Sequence, residues 1–130
     1  MIFEANIISS ASISEEDFLS ALEEIGAEIA IESDGSRCAE FHRDNYSLIA
    51  RMLNSDFDCF EEADLGGIIR RKLGGEMCTL LGLEFGEGAE AQALALTIGR
   101  KIGDRWPIVL DNGRGVILGH DELKKFASPS

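Results

Sequence analysis

Residues Met77 to Phe85 read Met-Cys-Thr-Leu-Leu-Gly-Leu-Glu-Phe, a nearly unbroken apolar run of strand length. A strand that alternates in polarity needs cover on one side only, whereas a strand apolar on both faces needs a layer on each. The run therefore predicts a central strand covered on both faces. Gly86-Glu87-Gly88 breaks it, and the clearest helix in the chain follows, from Ala89 to Arg105. Ala91, Leu94, Ala95, Ile98 and Ile102 form its apolar stripe. Arg100, Lys101 and Arg105 crowd its C-terminal end, where the helix dipole favours cations. Trp106-Pro107 stops it.

The flanking sequence supplies further strands and helices. Residues 2–8 alternate weakly and read as a first strand. Ser14-Glu15-Glu16-Asp17 is a helix start, with Ser14 as cap and acids at the positive end of the dipole. Phe18, Leu22 and Ile25 face inward at helical spacing, and Gly26 stops the helix. Residues 28–33 and 37–43 form a hairpin about the turn Ser33-Asp34-Gly35-Ser36. Residues 46–53 are open between strand and helix, and we favour strand because they follow a hairpin directly. Residues 62–73 read as one helix weakened by Gly66-Gly67, each glycine costing about 1 kcal/mol relative to alanine. Ile108 to Leu110 and Val116 to Leu118 flank the turn Asp111-Asn112-Gly113, and a short helix begins near Asp121. The order is βαβββαβαββα. It implies an α+β fold: one twisted mixed sheet with antiparallel hairpins, crossover connections and two to three packed helices. We take residues 1–126 as one α/β domain and 127–130 as a frayed tail.

Charge is distributed unevenly. Nine carboxylates precede Arg37, the first basic residue, so −9 of the net charge of −12 belongs to the first 36 residues. Such an end attracts cations and basic partners and repels polyanions, which argues against nucleic acid or an anionic membrane surface as the main partner. No apolar segment approaches the ~18 residues of a membrane span, and the first residues lack the basic region of a secretory signal. The three cysteines, Cys38, Cys59 and Cys78, lie in or beside apolar segments and read as buried, reduced thiols. Together these point to a cytoplasmic protein.

Several motifs could carry chemistry. Gly86-Glu87-Gly88-Ala89-Glu90-Ala91 fits G-x-G-x-x-A between a strand and a helix, with Asp111 placed to hold a ribose hydroxyl. Glu87 and Glu90 stand where phosphates would sit, and few residues follow Asp111, so the bland reading is a glycine-rich strand-to-helix turn. Gly86, Gly88 and Asp111 are kept as the cofactor-binding alternative; otherwise no cofactor is expected. Asp56, Asp58, Glu61 and Glu62 offer hard oxygens to a divalent cation, but the EF-hand glycine position holds Glu61, and a solvated acidic loop is the simpler reading. His42 and His120 have no spaced partner for zinc, so no metal site is assigned. Cys38 and His42 on one strand stand about 13 Å apart, too far to form a catalytic pair. No nucleophile elbow occurs, and Arg70-Arg71-Lys72 reads as a solvated helix end. No catalytic residue is assigned, and the chain reads as non-enzymatic.

The acidic surface is what remains. Glu16, Glu23 and Glu24 point outward from the first helix, while Asp56, Asp58 and Glu61 form a second cluster around Phe57 and Phe60, near Tyr46. Carboxylates with an aromatic anchor suit a basic protein partner. The stretch Ala91 to Leu123 is an alanine-rich helix, Arg105-Trp106-Pro107, a strand to Asp111, a glycine turn, a returning strand and Asp121-Glu122-Leu123. It resembles the closing segment of small acidic immunity proteins with which bacteria neutralise their own or a sibling's toxins. The resemblance covers about a quarter of the chain. It implies a function class: a non-enzymatic inhibitor of a cognate toxin, commonly a nuclease, with no binding residues carried over. A nucleotide or small-molecule domain and a structural homo-oligomer are the alternatives.

Overall fold

The structure, a computed structural model, describes residues 2–53 and 57–126. Seven strands form one sheet: β1 (Ile2–Ser9), β2 (Glu28–Ile31), β3 (Arg37–His42), β4 (Ser47–Met52), β5 (Thr79–Gly86), β6 (Ile108–Asp111) and β7 (Ile117–Gly119). Their spatial order is β2-β3-β4-β5-β1-β6-β7, and every neighbouring pair is antiparallel. The helices are α1 (Glu15–Ile25), α2 (Asp58–Glu62), α3 (Gly66–Leu73), α4 (Ala89–Gly103) and α5 (His120–Phe126). Helix α1 carries the chain from β1 to β2, and α4 from β5 to β6. In both cases the strand reached is not a neighbour of the strand left. That is how crossovers coexist with a fully antiparallel ladder. The fold is α+β.

The local signals act as read. Ser14 Oγ accepts from the Asp17 amide, and Gly26 closes α1 in the left-handed region at φ 117°. Residues 47–52 are a strand. The stretch 62–73 departs from the single-helix expectation. Asp64 turns left-handed at φ 59° and divides it into α2 and α3, and Gly66-Gly67 open α3 instead of weakening its middle. An aspartate tolerates that conformation better than most residues. The expected frayed tail, 127–130, lies outside the described residues.

Two cores lie on opposite faces of the sheet. On the first face Phe18 and Leu22 of α1, Ala95, Ile98 and Ile102 of α4 and Leu123 of α5 pack on Ile7, Phe41, Leu48, Leu81, Leu83 and Leu110. On the second, Phe60 of α2 and Ile69 of α3 pack on Ile8, Leu80, Val109 and Ile117. Leu80 and Leu81 are successive residues in different cores, which is why β5 is apolar throughout. The second layer stops there, and the outer face of β3 and β4 carries Glu40, His42 and Arg51 together with Ile49 and the buried Cys38.

The cysteines only partly follow expectation. Cys38 is buried, but Cys59 and Cys78 are exposed. Cys59 sits on a five-residue helix with one buried side chain, Phe60, and Cys78 precedes β5 where the chain is not yet covered. Apolar neighbours in sequence did not imply burial in either place.

Candidate functional site

Of the acidic first third of the chain, β1 with Glu4 lies inside the sheet, while α1 and β2 lie toward one edge. Strand β2 is the outermost strand, and α1, which leads into it through Gly26, covers the adjacent first face. Some of the carboxylates are neutralised. Glu15 pairs with Arg37 at 2.9 Å, Glu24 with Arg105, two residues past the end of α4, and Glu32 with Arg51 at 3.0 Å. Arg51 reaches Glu84 at 3.0 Å with its other nitrogen and so ties the edge to the centre of the sheet. Both carboxylates raise its pKa, the hydrogen bond that Glu32 accepts from it most. Cys38 lies beside this pair, and burial foremost, then the charges of Glu32 and Glu40, pushes its thiol pKa up. It is a poor nucleophile in this setting.

Other carboxylates have no cation. Among the described residues no ion pair involves Glu16, Asp17, Glu23 or Glu28. Two of them sit where local electrostatics disfavours them. Glu23 lies in the last turn of α1, which holds no basic residue, at the negative end of the dipole. Glu28 stands directly opposite Glu40 across the β2–β3 ladder, a like-charge pairing that destabilises a sheet. His42, 3.0 Å from Glu40, relieves this only when protonated. Asp34, in the hairpin turn, has its pKa lowered by the Ser36 hydroxyl and amide and stays ionised.

The edge itself is open. The Glu32 amide donates to the Ser36 carbonyl at 2.7 Å. By the alternation of an antiparallel ladder, Ile29 and Ile31 then turn their N–H and C=O groups outward. The Ile31 side chain is 75% exposed.

The second acidic cluster does not join this surface. Asp58 and Glu61 belong to α2, on the other face of the sheet from α1, and Glu61 pairs with Arg70 at 2.8 Å. Phe60 is 3% exposed and is a core residue, so it is not available as an anchor. Phe57 is half-buried against the same core, and Tyr46 is half-buried against the first. Asp56 lies outside the described residues. Of the candidate residues, Glu16, Glu23 and Glu24 share one helix; Glu28 and Glu40 lie at the same edge of the sheet but project to the face opposite that helix, since their neighbours Ile29 and Ala39 turn toward the core under α1. The cross-strand placement of Glu28 and Glu40 follows from hairpin register, a signal present in the turn at 33–36.

The glycine turn is built differently from a dinucleotide site. Gly88 is left-handed at φ 131° and opens α4, but β1 lies between β5 and β6. Gly86 faces Ile2 and Asp111 faces Asn6 on that strand, about 13 Å apart along it. Asp111 is buried and accepts hydrogen bonds from the Gly113 amide and the Asn6 side chain, so its carboxylate is engaged inside the fold.

A hollow of about 470 Å³ lies between the end of α4 and the start of α5 and includes Lys72, Trp106 and Glu122. His120 Nε2 meets Asp104 Oδ1 at 2.9 Å across it. The imidazole fits because residue 103 is glycine; a Cβ there would come within 2.5 Å of the ring. Glu122 pairs with Lys72 of α3. These contacts join helix ends. Asp104 stands 16 residues before His120, so the pairing has no local signal in the sequence. Among the described residues no group of three or more His, Cys, Asp or Glu side chains is placed to hold a metal ion, and no helix is long and apolar enough to cross a membrane.

Fold and surface thus define a class: an α+β domain with a fully antiparallel seven-stranded sheet and an acidic open edge. No protein-family model matches the chain, and no curated protein or solved structure matches it.

Proposed function

We propose that this chain is a non-enzymatic binding domain for a basic protein, an inhibitor of the immunity-protein kind that neutralises a basic bacterial toxin. The observation that carries this reading is the uncompensated charge at Glu23 and at the Glu28–Glu40 pair. Each placement costs the free protein some stability, about 0.3–1 kcal/mol at a helix end and a similar amount across a ladder. Local rules broken at the end of α1 and again on β2, the strand it leads into, with Glu23 on one side of that edge and the Glu28–Glu40 pair on the other, are the pattern expected of an edge kept for a partner. The long-range field of a chain at −12 would speed encounter with a cationic target.

The open backbone of β2 favours the same kind of partner over a second copy. Two copies pairing antiparallel about Ala30 would set Glu28 opposite Glu32 twice, like charge against like. An extended segment with lysine or arginine at those positions meets the opposite situation.

The test is affinity purification from the native host at low and high salt, with the natural chain and with Glu23→Lys/Glu28→Lys. The expected result is one stoichiometric basic protein, lost at high salt and lost from the variant, while the variant itself unfolds at higher urea than the parent. A chain that retains no basic protein at low salt, or a variant that retains it undiminished, overturns the reading.

A further inference from the structure

At the opposite end of the sheet from the acidic edge, α4 crosses β1, β5 and β6 and leaves a gap. Two small residues, Ala5 of β1 and Ala95 of α4, line it where larger side chains would have closed the core. Phe3 and Phe85, with ring centroids 6.1 Å apart, and Leu110 complete the apolar walls. The pocket measures about 280 Å³. That is near the lower bound of small-molecule sites, and about twice the ~150 Å³ cavity that accepts benzene.

Its mouth is polar, with a definite sign. Arg114, in the β6–β7 turn, lays its guanidinium over the Phe3 ring at 4.7 Å. Carboxylates outnumber lysine and arginine 24 to 12 in this chain, yet none lines the pocket and no ion pair engages Arg114 among the described residues. Arg37, Arg51, Arg70 and Arg105 are each tied to a glutamate. Beside Arg114 stand the amides of Gln92 and Asn112. Asn112 spends its carbonyl oxygen on the Arg114 and Val116 amides, at 2.8 and 3.2 Å, so its NH₂ remains to donate. Apolar walls under a cation and amide donors are complementary to a molecule with an apolar body and one anionic end.

We propose that this pocket binds a small apolar monocarboxylate, its chain or ring between Ala5 and Ala95 and its carboxylate on Arg114. The site is independent of the acidic edge, and neither reading depends on the other. Every donor at the mouth comes from the β6–β7 turn or the first turns of α4, so binding would join those two segments.

Octanoate is the probe, titrated into the full chain at fixed ionic strength and followed by amide NMR, with octanol as the neutral control of the same length. The expected result is saturable shifts at Phe3, Gln92, Arg114 and Leu118, with octanol at least tenfold weaker. Arg114→Gln should bring octanoate down to the octanol level. Ala95→Leu should abolish binding of both while the protein stays folded, since it fills the gap. Octanoate that fails to saturate, that shifts other segments, or that binds Arg114→Gln and Ala95→Leu undiminished overturns the proposal.

Discussion

The two faces of the sheet are held by different physics. The first is apolar from β3 to β6 and is covered by α1, α4 and α5. The second has a small apolar core under α2 and α3, and over β3 and β4 it carries Glu40, Ile49 and Arg51, each half-buried. Burial is proportional to area and non-directional, so the first face tolerates helices of different length and angle. Charged side chains need a particular partner at a particular distance, and the Glu32–Arg51–Glu84 bridge supplies it on the second. A chain of this size can draw most of its apolar burial from one face and hold part of the other by ion pairs.

The largest test of this contrast compares two phenylalanines. Phe18 is fully buried in the first core, and Phe18→Ala should cost about 3–5 kcal/mol in urea denaturation. Phe60, at 3% exposure, sits on a five-residue helix beside half-buried Phe57 and Leu65, which can close on the space. Phe60→Ala should fall at or below the low end of that range, about 2–3 kcal/mol. Equal losses would show that the second layer is as integral as the first.

The same contrast explains what could be read from residues alone. Strand β5 was legible as covered on both faces because its two neighbours in sequence, Leu80 and Leu81, enter separate cores. Helix α1 was legible from amphipathic spacing and its caps, and α4 from spacing alone, its last residue being Gly103 where Arg105 was expected. The division at Asp64 was not, since one residue in an uncommon backbone conformation leaves no periodic trace. The acidic edge was half legible. Composition located the charge, but only ladder register sets Glu28 against Glu40 and only the layer assignment separates α1 from α2. The apolar pocket had no signal, because Ala5 and Ala95 are unremarkable in their own elements and matter only together.

A smaller effect is expected at Arg51, the cation of the second face. Arg51→Gln leaves Glu32 and Glu84 without their counter-charge at a site where the arginine side chain is 27% exposed. Solvent screening limits the loss to about 1 kcal/mol. The sharper readout is thiol chemistry. In the native parent, Cys59 and Cys78 should react with a thiol reagent, while Cys38 reacts only as the chain unfolds. In Arg51→Gln, Cys38 should react sooner at an unchanged rate for the other two. Reaction of all three in the native parent would mean that the ion pair gives Cys38 no cover.

The smallest effect concerns the tie between the two layers. Leu123 of α5 belongs to the first core, yet the preceding Glu122 pairs with Lys72 of α3, a helix of the second layer. The hydrogen bond from Lys72 foremost, then the Gly119 amide, holds the Glu122 carboxyl below its ordinary pKa of 4.5. A carboxyl whose pKa is lower in the folded chain contributes stability that is fully present above its unfolded value. That contribution is lost as pH falls through the folded value. Glu122→Gln should therefore cost a fraction of a kcal/mol at pH 7, less at high salt, because the group is well hydrated. The difference in urea midpoint between parent and variant should close as pH is lowered through and below 4.5. A difference that persisted at acid pH would assign the effect to the shape of the side chain at the Gly119 amide, and the two layers would then be joined by packing around β7 alone.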